Sequence, residues 1–221
     1  SLITYKYSDK IIVTTSEIKE FVIKKYKVKK DKICIIPNSV DTQKFKKASN
    51  IYNNRCINIS RFVKQKNLFQ LIDVANHTGI DLDIIGDGPL RKDLINYIKK
   101  TNSKVKILSP VDYDDVAKVF SNYSSFITCS KIEGSPKAIL EAMSCELVVF
   151  AISNSGISNI IKNNETGFLA PNKEKLIKQI NLNFGNNKKF NTVGKQAREY
   201  IESNFSQDIC IEMERKLFNA I

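Results

Sequence analysis

The sequence contains a single histidine, His77, among its 221 residues. One imidazole excludes histidine triads and multi-histidine metal sites, which need more than one such ring. His77 stands in the pattern Ala-Asn-His-Thr-Gly, which is typical of a helix end, where the ring can complement the helix dipole. We therefore expect His77 to cap a helix rather than to take part in catalysis.

Long hydrophobic runs and paired cysteines are missing as well. No apolar run approaches the roughly 20 residues that span a bilayer, and we expect no signal peptide at the start. The cysteines are odd in number and no two are close in sequence: Cys34, Cys56, Cys129, Cys145 and Cys210. This usage predicts free, mostly buried thiols in a reducing compartment. The expected location is the cytoplasm.

Acidic residues are in the minority, with 23 against 35 lysines and arginines, which gives a formal net charge of +12. Such a surface attracts anions, whether phosphates, nucleic acid or acidic lipid headgroups. The lysines are dispersed, however, and lack the interleaved aromatic residues of a nucleic-acid platform. We expect no nucleic-acid partner, and peripheral contact with the inner face of an anionic cytoplasmic membrane stays an open alternative.

Apolar runs typical of strands alternate with helical periodicity from residue 55 onward. Strands are predicted at residues 55–60, 82–85, 105–108, 125–129, 147–151 and 167–170, and helices at 67–78, 90–100, 113–122, 136–145 and 157–162. Three more helices, at 173–183, 190–203 and 207–219, follow without further strands. The alternation predicts right-handed βαβ units, hence a doubly wound, Rossmann-like α/β fold with a parallel sheet of about six strands and helices on both faces.

The first residues predict a smaller unit of the same kind. A strand at residues 10–14 leads to a helix with Ser16 as its N-cap and with Ile18, Phe21, Val22 and Tyr26 at helical spacing. A second strand is predicted at 33–36. Residues 42–54 are polar and basic with little periodicity, so a linker is expected there.

The segment from Glu133 to Glu141 predicts an anion site. Gly134 would permit an unusual backbone angle, Ser135 is a favoured N-cap, and Pro136 suits the first position of a helix. The first turn of that helix would point free N–H groups and a positive dipole end at a ligand. Glu133 would lie at the mouth of the site and Glu141 within the helix.

A simpler interpretation of these glutamates exists. Lys137 and Glu141 are four residues apart and could form an ordinary surface pair, while Glu133 could merely complement the dipole. The residues that follow the other predicted strands favour the ligand site. Arg61 and Lys66 follow the first strand, and the turn Gly86-Asp87-Gly88 follows the second. Because ligands bind at the carboxyl ends of such strands, these groups predict a diphosphate site that needs no metal.

Two other motifs are weaker. Asp81 and Asp83 have the spacing of a metal-chelating pair, but they open a strand at the amino end of the sheet, which is the wrong edge for a ligand. Gly86 and Gly88 resemble part of a dinucleotide fingerprint, but the third glycine is absent and the pattern follows the second strand. Neither a metal nor a nicotinamide cofactor is expected.

Five ordered motifs resemble those of the retaining GT-B glycosyltransferases of group 1. They are residues 35–41 (IIPNSVD), Ser60-Arg61 with Lys66-Asn67, residues 84–89 (IIGDGP), the Glu133-x7-Glu141 spacing with Ala142-Met143, and residues 166–169 (TGFL). The resemblance covers nearly the whole chain. It departs from the family at Pro136, Glu146 and Ser109, where glycine is usual.

The resemblance implies a role for each predicted site residue. Arg61 and Lys66 would hold the diphosphate of a nucleotide-sugar donor, helped by the turn from Gly134 to Ala138. Glu133 would contact the sugar and Glu141 the ribose, and the base would lie near Val111. Glu133, Arg61 and Lys66 would be the catalytic residues. The full donor-binding prediction is Arg61, Lys66, Gly86, Asp87, Gly88, Val111, Glu133, Gly134, Ser135, Pro136, Lys137, Ala138 and Glu141.

The implied activity is transfer of a sugar with retention, from a UDP-sugar by preference, to a saccharide or lipid-linked acceptor in bacterial surface polysaccharide synthesis, without a cofactor. The acceptor would bind a preceding domain, of which residues 1–45 would be the tail. Residues 46–200 would form the donor-binding domain, and residues 201–221 a helix that packs back on the acceptor domain. We therefore expect a fragment that is inactive alone. A nucleotide-sugar epimerase of the same fold and a non-catalytic nucleotide-sugar-binding module remain alternatives.

Overall fold

The computed structural model describes residue 5 and residues 7–47 and 54–219. Its strands are β1 (Ile11–Val13), β2 (Ile33–Ile35), β3 (Arg55–Ile59), β4 (Asp81–Ile85), β5 (Lys106–Leu108), β6 (Ser125–Thr128), β7 (Val148–Ile152) and β8 (Phe168–Ala170). Its helices are α1 (Ser16–Tyr26), α2 (Leu68–Thr78), α3 (Arg91–Lys100), α4 (Val116–Phe120), α5 (Lys137–Ser144), α6 (Ser155–Ser158), α7 (Lys173–Asn183), α8 (Asn187–Asn204) and α9 (Gln207–Phe218).

Strands β3 to β8 form one sheet in the order β5-β4-β3-β6-β7-β8, and every neighbouring pair is parallel. The chain runs outward from β3 in one direction and then returns to add β6 on the other side of β3. This reversal opens a crevice at the carboxyl ends of β3 and β6, the usual ligand position in such a sheet. The predicted doubly wound, six-stranded α/β fold is confirmed.

Two apolar clusters cover the two faces of the sheet. One contains side chains of α4, α5 and α8, and the other contains side chains of α2, α3, α7 and the start of α8. All four residues of β6 are buried, as expected of a central parallel strand, which is covered on both faces. Burying each large side chain contributes about 1.5–3 kcal/mol. The crevice therefore rests on a well-packed support.

The unit at the start of the chain is a parallel β1–β2 pair with α1 packed on one face. The cap of α1 is Thr15, whose hydroxyl oxygen accepts a hydrogen bond from the Ile18 amide at 3.3 Å. The predicted N-cap, Ser16, is therefore one residue too late. Phe21, one of the apolar residues at helical spacing, is 52% exposed.

Two further helices differ from the prediction. The helix expected at 113–122 is only Val116–Phe120, and the residues before it form a turn in which Asp114 pairs with Lys44 at 2.6 Å. The helix expected at 157–162 lies at Ser155–Ser158, where the Asn154 side chain caps it by accepting from the Ile157 amide at 3.1 Å. An asparagine cap shifted the start toward the preceding strand.

Part of the predicted linker, residues 48–53, lies outside the described residues. The described part is irregular, as expected, yet Phe45 within it is fully buried in the core of the sheet. Arg198 of α8 donates to the carbonyl oxygens of Phe45 at 3.1 Å and Thr42 at 3.2 Å. The linker is thus fixed on the six-stranded unit.

The structure also places the residues that were expected to have structural roles. His77 lies in the last turn of α2, where its Nδ1 is 2.7 Å from the Asp73 carbonyl oxygen, as expected of a cap. Asp83 is buried at the amino end of β4, and its carboxylate accepts from Arg55 at 2.5 Å and from the Tyr123 hydroxyl at 2.6 Å. All five cysteines are free and only Cys34 is not fully buried.

Within the described part of the chain, no helix has the length and apolar character needed to cross a membrane.

Candidate active site

The two loops that border the crevice meet directly. The Lys66 ammonium, after β3, lies 2.5 Å from the Glu133 carboxylate, after β6. A backbone hydrogen bond from Lys131 to the Gln65 carbonyl oxygen at 2.9 Å joins the same loops. Glu133 is mostly shielded, with 12% of its side chain exposed. Two residues predicted from separate motifs are therefore brought together as an ion pair.

One small cavity at this edge is lined by residues of both loops and of the first turn of α5. Its lining includes Asn58, Ser60, Lys66, Thr128, Ser130, Glu133, Pro136, Lys137 and Ala138. The buried Asn58 donates to the Ile127 carbonyl oxygen at 2.7 Å and accepts from the Ser60 hydroxyl, also at 2.7 Å. Asn58 was not predicted as a site residue, because a single polar residue within a strand does not indicate which groups it will contact.

Helix α5 begins without a side-chain cap. Its N-cap residue is Pro136 and its first helical residue is Lys137, so the prediction of Ser135 as the cap and Pro136 as the first residue is wrong by one position. Within the part of the chain that the structure describes, the amides of Lys137 and Ala138 have no hydrogen-bond acceptor. Two free N–H groups at a helix start are suited to an anion.

The glycine that shapes this turn is Gly156, not Gly134. Gly134 has no positive φ, so the predicted unusual backbone angle is wrong. A Cβ atom on Gly156 would lie 2.1 Å from the Glu133 carbonyl oxygen and 2.5 Å from that of Gly134. The neighbouring Asn154 side chain donates to the Ser130 carbonyl oxygen at 2.9 Å. The cap residue and the first turn of α6 therefore support the Glu133 turn by close contact.

The predicted turn Gly86-Asp87-Gly88 follows β4 at the same edge. Gly86 and Gly88 have φ values of 148° and 152°, and a Cβ atom on Gly86 would lie 2.0 Å from the Ser60 carbonyl oxygen. The Phe62 amide donates to the Asp87 carbonyl oxygen at 2.7 Å. These glycines let the turn pack against the loop that carries Arg61. A direct contact between the turn and a ligand stays a prediction.

Arg61 projects from that loop. Its residue is exposed, and its guanidinium makes no hydrogen bond or ion pair with the residues described in the structure. By contrast, the nearby Arg91 donates to the Gly86 carbonyl oxygen at 2.9 Å. Arg61 is thus available to an external anion, whereas Arg91 holds the turn.

Glu141 lies on α5, one turn beyond the free amides, and only 7% of it is exposed. The alternative of a surface pair with Lys137 is therefore wrong. Burial raises the pKa of the Glu141 carboxyl, and hydrogen bonding from Tyr113 and the charges of Lys137 and Lys44 oppose that rise. The Lys44 ammonium stands 4.1 Å from the centre of the Tyr113 ring. Tyr113 was not predicted, and Val111, the predicted base contact, lies two residues before it and is 36% exposed.

The cost of burying Glu141 should appear in the pH dependence of stability. Since its folded-state pKa is raised, the carboxyl favours folding at low pH and loses that contribution as the pH rises past its ordinary value. Glu141→Gln should therefore stabilise the protein by about 1 kcal/mol near pH 7.5 and much less near pH 4. Urea unfolding at both pH values measures this, with the exposed Glu199→Gln as the matched control. Equal effects of the two substitutions at both pH values would contradict it.

The chain is similar in sequence to known glycosyltransferases. The family model for glycosyl transferases group 1 matches residues 39–200. An uncharacterized glycosyltransferase of Methanocaldococcus jannaschii is 28% identical over 244 residues, an alignment that covers 100% of this chain and 68% of that protein. The UDP-Gal:alpha-D-GlcNAc-diphosphoundecaprenol alpha-1,3-galactosyltransferase of Escherichia coli is 31% identical over 184 residues, covering 74% of this chain and 48% of the enzyme.

Solved structures show the same fold. Anabaena HepE in complex with UDP-glucose superposes with a TM-score of 0.88 at 17% identity, over 99% of this chain and 66% of that protein. A point mutant of Staphylococcus aureus TarM, solved with UDP, fondaparinux and alpha-GlcNAc-glycerol, gives a TM-score of 0.87 at 23% identity, over 99% of this chain and 45% of that protein. The chain thus spans about half to two thirds of the length of these proteins. With the family model matched over most of its length, the chain belongs to the group 1 glycosyltransferases.

Proposed function

We propose that this chain is the donor-binding part of a retaining glycosyltransferase that uses a UDP-sugar. The observation that carries the proposal is the uncapped start of α5, with its free Lys137 and Ala138 amides, in the cavity that Lys66 also lines. Backbone donors and a fixed cation converge there, which is the arrangement that a diphosphate needs. The E. coli relative is named for a UDP-sugar donor, which supports the choice of nucleotide.

We propose a division of labour within the site. Lys66 and Arg61 would stabilise the charge that grows on the diphosphate as the glycosidic bond breaks, which lowers the barrier rather than only strengthening binding. Glu133 faces the same cavity and would orient the sugar by accepting hydrogen bonds from its hydroxyls. Glu141, one helical turn away, would accept from the ribose hydroxyls. Only side chains and amides of this chain are needed, so the proposed reaction is independent of metal.

The acceptor would be a saccharide or a lipid-linked saccharide bound by a further domain, and the process would be bacterial surface polysaccharide synthesis in the cytoplasm, with peripheral membrane contact. The relatives with a named activity include a galactosyltransferase and an N-acetylglucosaminyltransferase subunit, which favours transfer over epimerisation.

Calorimetric titration with UDP tests the proposal. The chain should bind UDP, and Arg61→Ala should weaken binding by roughly tenfold to a hundredfold, because one charge-assisted contact contributes about 1.5–3 kcal/mol. Arg215→Ala removes the same charge from α9, a helix that contributes no residue to the lining of the cavity, and should change the affinity less than about twofold. Absence of UDP binding, or equal loss in the two variants, would count against the proposed donor site.

A further inference from the structure

Asn38 lies far from α5 in the sequence but contacts the residue before its cap. The Asn38 side-chain amide donates to the Ser135 carbonyl oxygen at 2.6 Å, and the Asn38 backbone amide donates to the Ser135 hydroxyl at 3.3 Å. The two residues are 97 positions apart. Asn38 therefore holds both the main chain and the side chain of Ser135.

The segment around Asn38 is anchored on both sides. Before it, the Ile36 amide donates to the Val13 carbonyl oxygen at 2.9 Å. After it, the Val40 amide donates to the Phe205 carbonyl oxygen at 2.9 Å, and the Gln207 amide donates to the Val40 carbonyl oxygen at 3.1 Å. Asn38 is thus a fixed point between the β1–β2 unit and the junction of α8 and α9.

The contact has a consequence for the free amides of α5. Serine is a favoured N-cap, and a Ser135 hydroxyl turned toward the helix would accept hydrogen bonds from the same N–H groups that the diphosphate is proposed to use. In the structure the hydroxyl accepts from the Asn38 backbone amide instead, in a position that the Asn38 side chain fixes by its bond to the Ser135 carbonyl oxygen, and α5 has no side-chain cap. An internal acceptor is thereby kept away from the anion site.

We propose that Asn38 is a positioning residue that keeps the first turn of α5 open for the donor diphosphate by holding Ser135 away from it. The inference rests on the proposed function and adds a residue outside the crevice to it. Asn38 belongs to the connection between the β1–β2 unit and the six-stranded sheet. The affinity for diphosphate therefore depends on the position of that connection relative to Ser135.

The test is titration of the chain with UDP, inorganic pyrophosphate and uridine. Asn38→Ala keeps the backbone amide but removes the 2.6 Å side-chain bond to the Ser135 carbonyl oxygen, so the Ser135 main chain is released and its hydroxyl can turn toward α5. UDP and pyrophosphate should then bind roughly tenfold more weakly and uridine equally well, since the effect acts on the phosphate groups. Adding Ser135→Ala to that variant should restore the affinity to within about twofold, because no hydroxyl is left to cap the helix. A general loss of structure could not be rescued in this way.

The matched control is Asn172→Ala, which removes another asparagine contact, the cap of α7 on the Lys175 amide. It should lower the unfolding temperature without changing pyrophosphate affinity. If the wild type binds UDP and Asn38→Ala binds UDP and pyrophosphate with the same affinity, this inference alone is overturned. The same holds if adding Ser135→Ala fails to restore the affinity that Asn38→Ala has lost. Absence of UDP and pyrophosphate binding by the wild type would overturn the proposed function as well.

Discussion

Replacing Gly156 with alanine is expected to destabilise the protein by about 3 kcal/mol or more, a large effect for a single methyl group. The added Cβ atom would lie 2.1 Å and 2.5 Å from two backbone carbonyl oxygens, those of Glu133 and Gly134. Backbone atoms cannot rotate away as a long side chain can, so the turn itself must move. Because this turn leads directly into α5, the movement would also displace the free amides of Lys137 and Ala138 and so weaken UDP binding. Urea unfolding and calorimetry on one preparation measure both effects.

Gly134→Ala is the contrasting variant for stability. The motif alone suggests that Gly134 is the indispensable glycine, but a Cβ atom there would meet only the Ile18 Cδ1 atom at 3.8 Å, an ordinary contact. Its stability should change by less than about 1 kcal/mol. If Gly134→Ala unfolds more easily than Gly156→Ala, the proposed support by the first turn of α6 is wrong.

Lys66→Ala is expected to lower UDP affinity by about a hundredfold. It removes a charge-assisted contact to the diphosphate and also leaves the shielded Glu133 carboxylate unpaired beside an incoming anion. Lys64 lies in the same short 3₁₀ turn, Lys64–Lys66, but its residue is exposed. Lys64→Ala should therefore change the affinity less than about twofold. Since both variants lose one positive charge, a difference between them shows that the position of Lys66 matters and not only the net charge.

Glu133→Gln is expected to change the UDP affinity in the opposite direction from Lys66→Ala. The substitution removes the negative charge that competes for Lys66, so UDP alone should bind about fivefold more tightly. The sugar contact is weakened at the same time, and a UDP-sugar should then gain no affinity over UDP. If Glu133→Gln weakens UDP as Lys66→Ala does, Glu133 holds the lysine in place instead of competing with the ligand.

The sheet could be predicted because its strands are largely apolar and covered on both faces, as in β7, where all five residues are apolar. The helix boundaries were less accurate where a distant residue decides them. Ser135 would cap α5 on local preference, but Asn38 binds it from 97 positions away. Glu146, which stands where the family has glycine after α5, adopts a φ of 61° and pairs with Lys47 at 3.1 Å. The sequence alone identified Glu146 as a departure from the family but did not indicate that Lys47 is its partner.

The site was predictable as a set of positions and not as a set of contacts. Strand ends locate Arg61, Lys66 and Glu133 at one edge of the sheet, since parallel strands share a direction. The Lys66–Glu133 pair joins residues 67 positions apart, and the contact of Gly156 with the Glu133 turn depends on the depth at which the next loop packs. Neither distance follows from a spacing in the sequence.

A crystal structure of this chain with UDP tests the central claim most directly. The diphosphate oxygens should lie about 3 Å from the Lys66 ammonium and from the amide nitrogens of Lys137 and Ala138. Lys66 should no longer be paired with Glu133. A UDP molecule bound away from the start of α5, or one bound there with the Lys66–Glu133 pair intact, would contradict the account.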